Sequence, residues 1–151
     1  MDTARTVYEK LCRAIESKGW TFEKEEEELL VHFRVSGDDL PMLFIIRIDE
    51  DRELVSLYSP LPVEVKEDKR VETALPVCMA SSGMIDGHLT YDIGEGRIVF
   101  KMTATYHDST VGEGLLDYMI GCSCAMVDKF NDLFFALNEG MIDIKDFYEK
   151  L

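Results

Sequence analysis

The sequence predicts an α+β fold in which a helix, an antiparallel strand meander, a second helix, a β-hairpin and a long C-terminal helix follow one another. Three observations predict it. Apolar residues fall at helical spacing near both ends of the chain, they alternate with polar residues at period two in two blocks between, and glycines, prolines and acidic clusters punctuate the joins. With 46% hydrophobic and 30% charged residues the composition is globular, and the 151 residues are read as a single domain, 1–151, large enough to bury one core.

In residues 3–18, Val7, Tyr8, Leu11, Cys12, Ala14 and Ile15 share one stripe, with Asp2 or Thr3 available as N-cap and Gly19 at the C′ position. Trp20 and Phe22 then alternate with Thr21 and Glu23, and the acidic run Glu25–Glu28 turns the chain. Leu29, Val31, Phe33 and Val35 alternate with Leu30, His32 and Arg34, so two antiparallel strands follow. After Gly37-Asp38-Asp39, the stretch Met42–Ile48 is apolar on both alternating faces, as in a strand covered on two sides or lying at an interface. A turn, Asp49–Arg52, leads into a strand Leu54–Tyr58, which Pro60 and Pro62 stop because neither supplies a ladder amide.

Helical spacing returns from Lys66 to about Ser82, through Val71, Leu75, Cys78 and Met79. Pro76 removes one intrahelical hydrogen bond and crowds the preceding turn, so either the helix kinks there or its regular part begins near Pro76. Leu89–Ile93 and Ile98–Ala104 alternate on either side of Gly94-Glu95-Gly96, a hairpin with a glycine-rich three-residue loop. From Glu113 to Asn138, Leu115, Tyr118, Met119, Cys122, Met126, Phe130, Leu133, Phe134 and Leu137 keep helical spacing up to a stop at Gly140, and a short helix Ile142–Tyr148 docks behind.

Asp and Glu outnumber Lys and Arg by 30 to 16, a formal charge of -14. That surplus repels nucleic acid and anionic membrane surfaces, whose binding rests on basic residues. Residues 1–5 lack the basic and apolar regions of a signal peptide, and no apolar run reaches the length of a membrane span, so a cytoplasmic protein is expected. Cys12, Cys78, Cys122 and Cys124 have no disulfide-framework spacing and read as small hydrophobes in a reducing compartment.

Chemistry-bearing groups do not assemble into a motif. His32, His88 and His107 each stand alone, without metal-ligand spacing. Cys122 and Cys124 sit two positions apart on a predicted helix, roughly 200° around its axis, and share no ligand. Gly112-Glu113-Gly114 follows no buried parallel strand and places a carboxylate where a phosphate loop wants none, so it reads as a helix lead-in. The run Glu23–Glu28 reads as a solvated turn, and Ser81-Ser82 and Ser109-Thr110 as caps or turns. No catalytic residue, cofactor site or metal site is therefore assigned, and an enzyme is not expected.

One feature points to a surface. Leu43 and Ile45 on the minor face of the third strand, with Val55 and Leu57 beside them, exceed what a one-sided sheet buries. Either helices cover both sides, or the patch contacts another chain.

The stretches Leu57–Arg70, LYSPLPVEVKEDKR, and Gly87–Lys101, GHLTYDIGEGRIVFK, resemble the YbjN family of small bacterial proteins, and the similarity runs from the first helix through Glu139. The resemblance implies a fold like that of type III secretion chaperones, a curved antiparallel sheet with helices on one side. The family carries no accepted enzymatic motif and is labelled a sensory transduction regulator. The expectation is thus a non-enzymatic, chaperone-like or regulatory protein that binds a protein segment through its sheet or forms a homodimer there. The alternative is a sensor holding a small apolar ligand between sheet and helices, with Met79, Met102, Met119 and Met126 lining the pocket or simply packing the core.

Overall fold

The computed structural model describes residues 1–151. Helix α1 (Ala4–Glu16) starts where the apolar stripe starts. Thr3 caps it by accepting the Thr6 amide at 3.2 Å, and Gly19 makes the left-handed turn beyond its end at φ +71°. Six strands follow: β1 (Glu23–Glu25), β2 (Leu30–Ser36), β3 (Pro41–Asp49), β4 (Leu54–Glu64), β5 (His88–Asp92) and β6 (Arg97–Thr105). They form one antiparallel sheet in the order β1-β2-β3-β4-β6-β5, with helix α2 (Arg70–Ser82) linking the meander to the hairpin. Helices α3 (Glu113–Asn138) and α4 (Ile144–Glu149) complete the chain. The α+β class and the element order match the sequence reading.

One face of the sheet carries the core. Met42, Phe44, Ile46 and Ile48 of β3 and Val55 and Leu57 of β4 are buried there, under Leu11 of α1 and Leu116, Met119 and Ile120 of α3. Val77 and Ala80 of α2 join the same core beside Leu89 of β5, and Phe147 of α4 packs on Phe134 of α3 with ring centroids 5.0 Å apart. The helices therefore share one side of the sheet, and the other side has no layer over it.

Several boundaries differ from the sequence reading, each for a local reason. Trp20 and Phe22 lie outside any strand. Trp20 packs on Phe33 with ring centroids 5.6 Å apart, and only Glu23–Glu25 enters the ladder with β2. Strand β4 does not stop at Pro60 and Pro62 but continues to Glu64. Its ladder with β3 ends at the Ile45–Tyr58 pair, so beyond Tyr58 one side of β4 is an edge that tolerates missing amides. Continuing that register puts Pro60 opposite Leu43, and the Leu43 carbonyl accepts from the Ser59 hydroxyl at 2.6 Å instead. On its other side β4 pairs Pro60 with Val99, and the register then shifts before Glu64 pairs with Arg97.

Helix α2 begins at Arg70 after a 3-10 turn, Glu67–Lys69, so its regular part does not start near Pro76. That proline lies buried within the helix and costs it one hydrogen bond. The hairpin loop is one residue longer than expected: Asp92 pairs with Arg97, and Gly96, at φ +70°, donates its amide to the Asp92 carbonyl at 2.7 Å. A Cβ on Gly96 would stand 2.6 Å from the Val65 carbonyl oxygen, so only glycine fits.

Two polar clasps tie sequence-distant segments together. Arg70 donates from Nε to the Val65 carbonyl at 3.0 Å and from Nη1 to the Gly94 carbonyl at 2.6 Å, while the Tyr91 hydroxyl donates to the Arg70 carbonyl at 2.6 Å. Buried Asn138, near the end of α3, accepts the Lys66 amide at 2.9 Å and donates to the Glu64 carbonyl at 3.1 Å. Asn138→Ala would leave both backbone groups without that partner, so unfolding in urea should reveal a loss of about 2 kcal/mol.

At the N-terminus the Asp2 carboxylate accepts from Lys10 Nζ at 2.9 Å and from the Val111 amide at 2.7 Å. The Lys10 hydrogen bond, followed by the Val111 amide, holds the Asp2 carboxyl below its ordinary 3.8. Because the folded state binds this proton less readily than the unfolded chain, the stabilisation is complete above the ordinary value and is lost as pH falls through the lower folded one. Urea midpoints followed from pH 5 to pH 2 should accordingly fall less steeply for Asp2→Asn than for the wild type.

Candidate functional site

Antiparallel pairing fixes what the uncovered face presents. The pairs Glu23–His32, His32–Ile45, Ile45–Tyr58, Tyr58–Lys101 and Lys101–His88 form one continuous row across all six strands. Above and below it lie Arg34 beside Leu43, Pro60 beside Val99 with Thr90 next to it, and Arg47 between Leu30 and Ser56. Leu43, Ile45, Tyr58, Pro60 and Val99 are half-buried, with Thr21 and Phe22 bordering a recess beside Leu43 and Arg34, and the cations around them are exposed.

The four expected contact residues do not lie together. Leu43 and Ile45 are on the uncovered face, but Val55 and Leu57 are each 1% exposed and point into the core. The reason is the β3–β4 turn. Asp49 pairs with Leu54 across four residues, so an odd-numbered residue of β3 shares a face with an even-numbered residue of β4. Tyr58 and Pro60 therefore occupy the places beside Ile45 and Leu43 that Val55 and Leu57 were expected to take. Sequence reading also missed Arg34, Arg47 and Lys101. Period two alone puts Arg34 opposite Phe33 and Arg47 opposite Ile46, but only cross-strand register places all three cations around one apolar centre.

Other chemistry-bearing groups remain dispersed. No three His, Cys, Asp or Glu side chains gather where they would hold a metal ion. His32 lies 3.8 Å from Glu25, and His107 lies 3.1 Å from Glu53 at the β3–β4 turn. Burial pushes the Cys124 thiol up to about 11, and burial followed by the Asp86 carboxylate raises Cys122, so neither is a ready thiolate at neutral pH. Met119 borders an enclosed gap with Leu57 and Leu116 that admits no water, Met102 packs under Ser123, and Met79 and Met126 sit half-buried at the core margin. The interior here is packed rather than hollow.

A second apolar surface lies on α2. Val71, Leu75 and Cys78 recur at helical spacing on its outer side, Val71 79% and Leu75 55% exposed, and Ile85 just beyond the helix is 95% exposed. No helix is long and apolar enough to cross a membrane.

The chain matches the sequence profile of the YbjN family, described as "Putative bacterial sensory transduction regulator", over residues 8–136. Among solved structures it is similar to YbjN of E. coli, with a TM-score of 0.61 and 9% identity over 80% of this chain and 85% of that one. It is also similar to a chain of the ExsC-ExsE complex, with a TM-score of 0.54 and 13% identity over 91% of this chain and 97% of that one. At such identities the likeness is one of fold, and the fold is type III secretion chaperone-like, as the resemblance implied. No curated protein matches the chain in sequence.

The division of the sheet into a core face and an open face has a direct check in truncation. Leu57→Ala should lower the unfolding free energy by about 2–5 kcal/mol, the range for a buried leucine. Leu43→Ala, on the open face, should cost at most about 1 kcal/mol in the same urea titration.

Proposed function

The chain belongs to the YbjN family, and on that premise we propose that it is a non-enzymatic protein, chaperone-like or regulatory in kind, that docks another polypeptide on the open face of its sheet. The observation that carries this reading is the row through Ile45 and Tyr58, with Leu43, Pro60 and Val99 beside it. These are apolar side chains at the centre of a sheet face that no element of the chain covers. A fold neighbour described as a complex of two proteins adds support. A reducing cytoplasm suits the four unpaired thiols.

The edges of the sheet are less suited to recruit a strand. At the β5 edge the Leu89 amide and carbonyl are both engaged by the Ser81 hydroxyl of α2, at 3.1 and 3.4 Å. At the other edge β1 is only Glu23–Glu25, short and charged. The face, rather than an edge, is the accessible surface.

Self-association is a second reading, favoured by the exposed stripe of α2. It assigns the homodimer contact to Val71, Leu75 and Ile85, away from the sheet face. Light scattering should then give twice the chain mass for the wild type and the chain mass for Val71→Asp/Leu75→Asp. A wild type that stays monomeric at high concentration removes this reading and leaves the sheet-face reading untouched.

For the sheet face, a photo-crosslinking residue introduced at position 45 should join the chain to a second polypeptide in cells of the source organism. Adding Leu43→Asp should reduce that product at least tenfold while the thermal midpoint stays within a few degrees of wild type. Equal crosslinking with and without Leu43→Asp would sink the proposal.

A further inference from the structure

We propose that the occupant of the open sheet face is an acidic polypeptide segment bearing an apolar stripe, and not a second copy of this chain; the inference rests on the reading of that face as a docking surface. Charge distribution is the argument. The chain has 30 acidic residues against 16 Lys and Arg, yet Arg34, Arg47 and Lys101 surround the apolar centre of this face with no carboxylate within 4.0 Å of any of them. In so acidic a protein, three exposed cations left unpaired around one apolar patch complement a partner that brings its own carboxylates.

The geometry sets the size and excludes competitors. Arg34 on β2 and Lys101 on β6 are three strands apart, about 14 Å, which about ten residues of helix span. Each cation lies beside a strand position with apolar character, Arg34 beside Leu43 and Lys101 beside Tyr58. A helix with leucines along one side and glutamates flanking them meets both features at once. A second copy docked face to face would bring three further cations, rather than carboxylates, around the same apolar centre, so the centre of the surface is not electrostatically self-complementary. Nucleic acid offers negative charge but no apolar stripe for Leu43 and Ile45, and the remainder of the chain repels it.

The test is a random-peptide display library panned against the full chain, with enriched peptides then measured by fluorescence anisotropy. Enrichment of Asp and Glu interleaved with Leu, Ile or Phe is expected. Their affinity should fall at least about tenfold for Arg34→Glu/Arg47→Glu/Lys101→Glu and fall again with added salt, as for a contact steered by charge. The milder Arg34→Gln/Arg47→Gln/Lys101→Gln replaces the triple Glu variant should the latter not fold, and Arg34→Lys/Arg47→Lys should retain binding. Enrichment of basic or uncharged peptides whose binding is lost in Leu43→Asp overturns this inference but leaves the docking face standing. Peptides indifferent to both Leu43→Asp and the charge variants overturn both readings. An absence of enrichment, or a 20-nucleotide single strand binding as tightly as the acidic peptides, overturns the acidic-segment inference alone.

Discussion

The pairing of Ile46 with Leu57 is the constraint on which the rest of the structure depends. These two residues face each other across the centre of the sheet, and both are essentially fully buried under Leu11, Leu116 and Met119. A slip of one residue between β3 and β4 would turn Leu57 outward and place Tyr58 and Ser56 beneath α3, exchanging a packed apolar side chain for a phenol and a hydroxyl. The same register that gives α3 its platform brings Tyr58 beside Ile45 and Lys101 beside Tyr58 on the reverse. Core and open face are thus one decision: the fold cannot bury Leu57 without presenting Tyr58.

The segments that most resemble the YbjN family turn out to be those that hold the two halves of the sheet together. Arg70 closes the first segment and reaches the Gly94 carbonyl in the second, Tyr91 returns a hydrogen bond to Arg70, and the Val65 amide donates to the Gly96 carbonyl at 2.9 Å. Arg70 uses several donors of one planar group to satisfy carbonyls at a strand end and in a tight loop, which a shorter or single-donor side chain would not do from the same place. Gly96 permits the approach because it has no Cβ to meet Val65. The resemblance therefore lies mainly in residues that shape the fold, which is why it says more about architecture than about partners.

Much of the fold was legible in the sequence because its signals are local. The helices announce themselves through Val7, Leu11 and Ile15, or through Met119, Phe130 and Phe134, and their ends through Thr3, Gly19 and Gly140, although Leu115 and Tyr118, read as part of the same stripe, are 38% and 53% exposed while Leu116 is buried. The misplacements arise where a tertiary neighbour decides. Pro60 and Pro62 read as strand breakers until the end of the β3 ladder is known, and Pro76 reads as either a kink or a helix start until its buried place inside α2 is seen. The open face was half legible for the same reason. Leu43 and Ile45 are outward by alternation within one strand, whereas their neighbours depend on how many residues turn the chain between β3 and β4. Reading that turn as ending at Arg52 left the parity unresolved, and the count from Asp49 to Leu54 resolves it.

Charge is arranged across the molecule in a way that composition conceals. The net -14 suggests a uniformly acidic surface, but the acidic residues concentrate in turns, on outward helix positions and at the sheet margins, as in Glu25–Glu28, Glu50–Asp51 and Asp38–Asp39, while the sheet centre carries Arg34, Arg47 and Lys101. Such a division serves two ends. Surplus charge on the helical side and at the margins favours solubility, and the cations around Ile45 and Tyr58 disfavour pairing of this apolar patch with its own kind. On the proposed reading, a face that receives a partner needs both properties, and here they follow from which residues the β2–β3–β4–β6 registers turn outward.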